Sequence, residues 1–107
     1  MRILLDECVY TGVRAAFPGH SVTTVTEAGW RSSKDASLLG LAERGLDVFV
    51  TIDRKLEHQA DLHQYALGFV IVRVASNTLA SYFPSFDRLL QEAKTVCKGE
   101  IIHLEAR

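Results

Sequence analysis

Two short apolar runs in this chain end on a carboxylate: Ile3-Leu4-Leu5 at Asp6, with Glu7 next, and Val48-Phe49-Val50-Thr51-Ile52 at Asp53. Unbroken apolar runs of strand length belong to strands buried on both faces, which occur mainly in parallel sheets covered by helices. Ligands and chemistry in such sheets gather at the carboxyl ends of the strands. If the two strands are neighbours, Asp6, Glu7 and Asp53 share one crevice, and like charges there call for a cation. The pattern predicts a site for a hard metal ion.

The rest of the chain reads as alternating strand and helix, with no internal repeat and with Pro18 and Pro84 as its prolines. A first strand over Arg2 to Leu5 leads into a helical segment with Val9, Val13, Ala16 and Phe17 on one face, stopped by Pro18-Gly19, and Asp6 or Glu7 stands at its N-terminus. His20 to Val25 is the second strand. Asp35 opens a helix with Leu38, Leu39, Leu41 and Ala42 facing inward, ended by Gly45. Asp47 to Thr51 is the third strand, Arg54 to about His63 the third helix, Phe69 to Val74 the fourth strand and Ile101 to Leu104 the fifth. Between the last two, Pro84 splits an amphipathic stretch into a short helical turn from Thr78 and a second helix. The expected fold is a three-layer α/β/α sandwich with a five-stranded, mainly parallel sheet in the order 2-1-3-4-5, which sets Asp6 beside Asp53.

At 107 residues and 48% hydrophobic content, residues 1–107 are expected to form a single domain with a real core. Twelve Lys and Arg against thirteen Asp and Glu leave a formal charge of −1, so any contact with a polyanion must be local. Cys8 and Cys97 are too few for a disulfide framework, and no apolar run approaches the roughly 20 residues of a membrane span. The expectation is a cytoplasmic protein without a membrane partner.

The residues resemble the PIN-domain nucleases, and within them the short PIN-like proteins found beside toxin–antitoxin genes. The resemblance rests on Arg2-Ile3-Leu4-Leu5-Asp6-Glu7, Thr24-Val25-Thr26-Glu27-Ala28-Gly29-Trp30, Lys34 to Ala42, and Val48 to Arg54 with its Thr51-Ile52-Asp53. It implies a single PIN-like domain in which Asp6, Asp35 and Asp53 are catalytic and bind Mg²⁺ or Mn²⁺ for hydrolysis of RNA phosphodiesters. The chain departs from longer members in lacking a helical insertion with a further glutamate, for which Glu7 or Glu27 would substitute. It also carries Lys55 where many members have an acid. RNA is then the expected substrate, with an antitoxin protein as an expected partner.

Oxygen-rich carboxylate sites suit Mg²⁺ and Mn²⁺, which keep waters, bridge to phosphate oxygens and activate an attacking water. Arg31, Lys34, Arg54, Lys55 and Arg73 fall near strand ends and form a candidate RNA-binding rim, with Trp30 as either a base platform or a packing lid. The competing reading makes Asp6, Asp35 and Asp53 helix caps, Glu27 a solvated loop acid and Asn77 the cap of the helix after it. His20, His58, His63 and His103 lack metal-ligand spacing. Cys8 has no histidine partner to activate it. Tyr82, Phe83 and Phe86 crowd one helix start and suggest a homodimer or antitoxin surface.

Two alternatives stand beside the nuclease reading. One is a receiver-like Mg²⁺-binding signalling domain phosphorylated at Asp53, with Ser76 as a switch hydroxyl, although Ile101 to Glu105 offers no strand-five lysine. The other is a catalytically degenerate PIN-like binding subunit.

Overall fold

A computed structural model describes residues 1–106 of the chain. Its sheet is entirely parallel, with strands β1 (Arg2–Leu5), β2 (Ser21–Thr24), β3 (Val48–Thr51), β4 (Gly68–Arg73) and β5 (Ile101–Glu105) in the order β2-β1-β3-β4-β5. This is the expected α/β sandwich, with β1 and β3 adjacent in register, Leu5 opposite Val50.

Strand periodicity divides the core in two, because successive side chains of a strand point to opposite faces. Ile3, Leu5, Val48, Val50, Val70 and Val72 join one cluster with Val9, Val13, Phe17, Leu89 and Ala93. Leu4, Phe49 and Phe69 point the other way, against Leu38, Leu39, Leu56 and Leu62. The first face is covered by a 3-10 helix over Thr11–Ala16 and by α4 (Phe86–Thr95); the second by α1 (Asp35–Ala42) and α2 (Leu56–Gln59). Phe49 and Phe69 meet edge to face at 6.2 Å, across the β3–β4 pair. Gly68 opens β4 where a Cβ would come within 2.5 Å of Val96 Cγ1, so a side chain there would push α4's exit from the sheet.

Several elements differ from expectation, for local reasons. The first helical segment is the 3-10 turn from Thr11, with Val13, Ala16 and Phe17 buried as predicted; the Tyr10 ring occupies the space where a Cβ on Gly12 would stand. Its start at Thr11 leaves Asp6 and Glu7 outside any helix. The third helix is broken into α2 and a 3-10 turn at Leu62–Gln64, because the Asp61 carboxylate accepts the His63 N–H at 3.3 Å and so starts a new turn. α1 ends at Ala42, three residues before Gly45, and Leu41 is 42% exposed instead of inward. Around Pro84 the break is as expected: α3 (Leu79–Tyr82), a 3-10 turn over Phe83–Ser85, then α4. Tyr82 is buried there, not displayed with Phe83. Among the described residues no helix is long and apolar enough to cross a membrane.

Candidate functional site

The site begins with a buried hydroxyl. Thr51 closes β3 with no exposure, and its Oγ1 donates to Asp6 Oδ2 at 2.7 Å while accepting the Asp53 N–H at 3.0 Å. Asp6 is pinned from a second side by its own N–H, which donates to Val50 O at 2.9 Å and extends the β1–β3 pairing one residue past β1. Its Oδ1 accepts the Glu7 N–H at 2.8 Å. The two strand-ending aspartates are thus joined through one hydroxyl, which gives Thr51-Ile52-Asp53 a physical reason: the first residue orients the neighbouring strand's carboxylate and the start of the loop that carries the third.

The cap reading fares differently at each acid. Asp6 caps no helix. Asp35 is the first residue of α1, where Lys34 holds the cap position without any side-chain hydrogen bond. Asp53 does take a turn role, its Oδ1 accepting the Lys55 N–H at 2.9 Å just before α2. All three carboxylates are half-buried.

Electrostatics links them. Burial pushes the Asp35 carboxyl above the ordinary aspartate range, and the charges of Asp53 first and Asp6 second add to the shift. Asp35 therefore feels the charges of two acids from other chain segments at the carboxyl edge of the sheet. Among the described residues no three His, Cys, Asp or Glu side chains close into a ready-made cage for an ion. A cage of three is not required for Mg²⁺, which is usually held by one or two carboxylates with water filling the remaining positions.

Cys8 lies beside this network with Sγ 3.7 Å from Thr51 Oγ1. Since the Thr51 proton goes to Asp6, the thiol is the donor of that pair. Burial pushes the thiol up; a hydrogen bond from the Ile52 backbone opposes the rise, and the Asp6 charge adds to it. A thiol so raised is a poor nucleophile.

The other predicted site residues are spread along the same edge. Glu7 and Glu27 line a cleft of about 670 Å³ together with Asp6, Tyr10, Arg14 and Thr24. Glu27 is already engaged: it accepts the Thr24 N–H at 2.9 Å and the Arg14 guanidinium at 2.6 Å, and its own N–H donates to Thr24 Oγ1 at 3.0 Å. The Thr24 N–H, followed by Arg14, holds its carboxyl below the usual range. Glu27 therefore ties the loop after β2 to the Thr11–Ala16 turn. Glu7 faces Arg31 at 3.8 Å, which takes that arginine toward the acids. Lys34 and Lys55 occupy the cap positions of α1 and α2, both exposed, whereas Arg54 and Arg73 meet in one hollow with Glu105 at the ends of β3, β4 and β5. Trp30 is half-buried against the core under α1, the packing-lid alternative.

Two residues matter more than their sequence context suggested. Asn77 does not cap α3, whose cap position is Thr78; its side chain accepts the Tyr10 N–H at 3.0 Å and the Tyr82 hydroxyl at 2.5 Å, and donates to Cys8 O at 2.8 Å. It staples the loop that follows Asp6 to the segment between β4 and α3. Arg14 neutralises Glu27 from thirteen residues away. Neither link leaves a spacing signal. The histidines take other partners: His103 pairs with Glu57 at 3.0 Å, His63 with Gly99 O at 2.7 Å, and His20 with the N-terminal amine at 3.1 Å.

Comparison of the chain with family models, curated proteins and solved structures returned no match.

Proposed function

We propose that the protein is a PIN-like, Mg²⁺- or Mn²⁺-dependent endoribonuclease, acting as a toxin component or in RNA processing. The observation that supports it is the coupling of Asp35 to Asp53 and Asp6, three half-buried carboxylates at the carboxyl edge of a parallel sheet. Uncompensated like charges in a half-buried crevice raise one another's proton affinity and favour a cation. Asp6 and Asp53 are the residues to hold it. A bound Mg²⁺ or Mn²⁺ supplies Lewis-acid stabilisation of phosphoryl oxygens and a water of lowered pKa.

The chain's own groups carry the rest. Thr51 keeps Asp6 in place through its hydroxyl and supports the Asp53 backbone with the same atom. Asp35, whose carboxyl binds a proton more readily than an ordinary aspartate, is the acceptor for the proton of the attacking water. Asp6 keeps free lone pairs on both oxygens, since each accepts one hydrogen bond. An exposed rim of lysine and arginine, on a chain whose formal net charge is only −1, restricts RNA contact to the same edge.

Cleavage of a fluorescently labelled RNA by purified protein tests the proposal. We expect turnover with Mg²⁺ or Mn²⁺, none in EDTA, and loss of turnover in Asp53→Asn. Cleavage indifferent to EDTA, or retained by Asp53→Asn, overturns it.

A further inference from the structure

Along the carboxyl edge the strand order fixes a charge sequence. From β1 outward come Asp6, then Asp53 and Arg54 after β3, Arg73 at the end of β4 and Glu105 at the end of β5. Two adjoining hollows, of about 460 and 250 Å³, lie there and share Arg54, Arg73 and Glu105. The larger is floored by Ile52, Val72 and Val74. Both guanidiniums are exposed, and neither enters an ion pair among the described residues. Among the described residues that line it, two guanidiniums against one carboxylate leave the hollow net positive. His103, which lines the smaller hollow, has its partner in Glu57.

We infer that the Arg54–Arg73 hollow is a phosphate subsite, taking a backbone phosphate of the RNA strand whose neighbouring linkage lies at the carboxylate crevice. The inference rests on the nuclease reading for its source of phosphate and adds a direction to it: the strand crosses the sheet edge from β1 toward β5. Geometry favours that course. Adjacent strands are about 4.8 Å apart, so the hollow lies one to two strand spacings from the Asp6–Asp53 pair, the scale of one nucleotide step. Guanidinium forks match phosphate oxygens in pairs, and an arginine without a protein partner keeps all its donors for them. The opposite course is less suited to a polyanion. On that side Arg14 is held by Glu27 and Arg31 faces Glu7, so both cations are already matched by carboxylates.

The test measures binding of a labelled single-stranded RNA ten-mer by fluorescence anisotropy in EDTA, where no cleavage competes, over a range of KCl concentrations. Arg54→Gln and Arg73→Gln should each weaken binding by about three- to tenfold and lower the salt slope by about one. Arg14→Gln should leave both unchanged. Inorganic phosphate, titrated against the arginine Nε–Hε NMR signals of the wild type, should shift Arg54 and Arg73 together. Each variant is checked by circular dichroism, and both substituted side chains are exposed, so the fold should persist. RNA affinity and salt slope unaltered in Arg54→Gln and Arg73→Gln overturn the subsite. If phosphate shifts both signals and Arg73→Gln removes the response, but no RNA binds in EDTA and none is cleaved with Mg²⁺ or Mn²⁺, the anion subsite stands and the nuclease reading falls. If neither probe engages the two arginines, the subsite falls regardless of any cleavage activity.

Discussion

β3 has an aspartate at each end, and the two lead opposite lives. Asp47, just before the strand, accepts the Arg2 N–H at 2.7 Å and faces Arg2 Nε at 3.6 Å. That backbone hydrogen bond, helped by the Arg2 charge, holds its carboxyl below the usual range. Beyond the other end of β3, burial and then the charges of Asp53 and Asp6 push the Asp35 carboxyl up. The amino edge of the sheet matches each negative charge to a donor as it lays down the strand starts. At the carboxyl edge the charges of Asp53 and Asp6 add to the rise of the Asp35 carboxyl instead of being cancelled at it. That contrast between the two ends of one strand is what the proposed metal site predicts and a set of helix caps does not.

The largest expected effect comes from the site edge. Millimolar Mg²⁺ or Mn²⁺ should stabilise the wild type by about 1–3 kcal/mol, if its concentration exceeds the dissociation constant by roughly ten- to a hundredfold. Asp53→Asn should abolish that gain, while the metal-free variant melts no lower than wild type, because Asn retains the turn to the Lys55 N–H and like-charge repulsion is relieved. Thermal melts of both proteins, with and without metal, decide it. A wild type that ignores both ions, with and without an RNA oligonucleotide, breaks the contrast. Next in size is Thr51→Val, which removes a buried hydroxyl that serves both aspartates and leaves the Asp53 N–H without its acceptor. Denaturant unfolding should show a loss of about 1–3 kcal/mol, largely recovered by Thr51→Ser. Recovery by serine is the informative half, since a packing loss would not be rescued by a smaller side chain.

Much of this was legible in the order of residues. Apolar runs of strand length separated by helical segments are enough to yield five parallel strands, and the commonest order for such a sheet brings Asp6 to Asp53. What the runs do not encode is how loops close. The Tyr10 ring lies over Gly12 within the turn at Thr11–Ala16, and the third helix breaks because Asp61 competes for a backbone N–H against a weak helical preference. Glu27 looked free to serve as a ligand because its partner Arg14 lies on another element. Asn77 looked like a cap because asparagine before a helix usually is one; its true partners, Tyr10 and Cys8, are more than sixty residues away in sequence. Long-range polar pairing has no period, and no single sequence displays it.

At the amino edge a smaller effect is expected. Asp47→Asn should cost no more than about 1 kcal/mol at neutral pH, since the Arg2 pair is partly exposed and screened and Asn still accepts the Arg2 N–H. The sign with pH follows from the lowered carboxyl. Asp47 contributes stability above the unfolded value near 3.8, and that contribution disappears as pH falls through the lower folded value, so the variant and wild type should converge in acid.

The smallest effect is the one that most sharply divides the two edges, because it has the opposite sign. Asp35 has a raised folded pKa, so its favourable contribution is present below the unfolded value near 3.8 and is lost as pH rises through the folded one. At neutral pH the ionised carboxylate is therefore a net burden on the metal-free fold. Asp35→Asn removes that charge while the neighbouring Lys34 keeps the cap position of α1, which involves no side-chain hydrogen bond to lose. The variant should melt slightly above wild type at pH 7, by an amount worth a few tenths of a kcal/mol, and the difference should shrink toward zero near pH 3. Melts of the Asp35→Asn and Asp47→Asn proteins against wild type, in chelator, across that range give two curves of opposite sign. Two curves of the same sign would mean that Asp35 is stabilised where it stands, as an ordinary acid in the first turn of a helix, and the two edges of the sheet would no longer differ in kind.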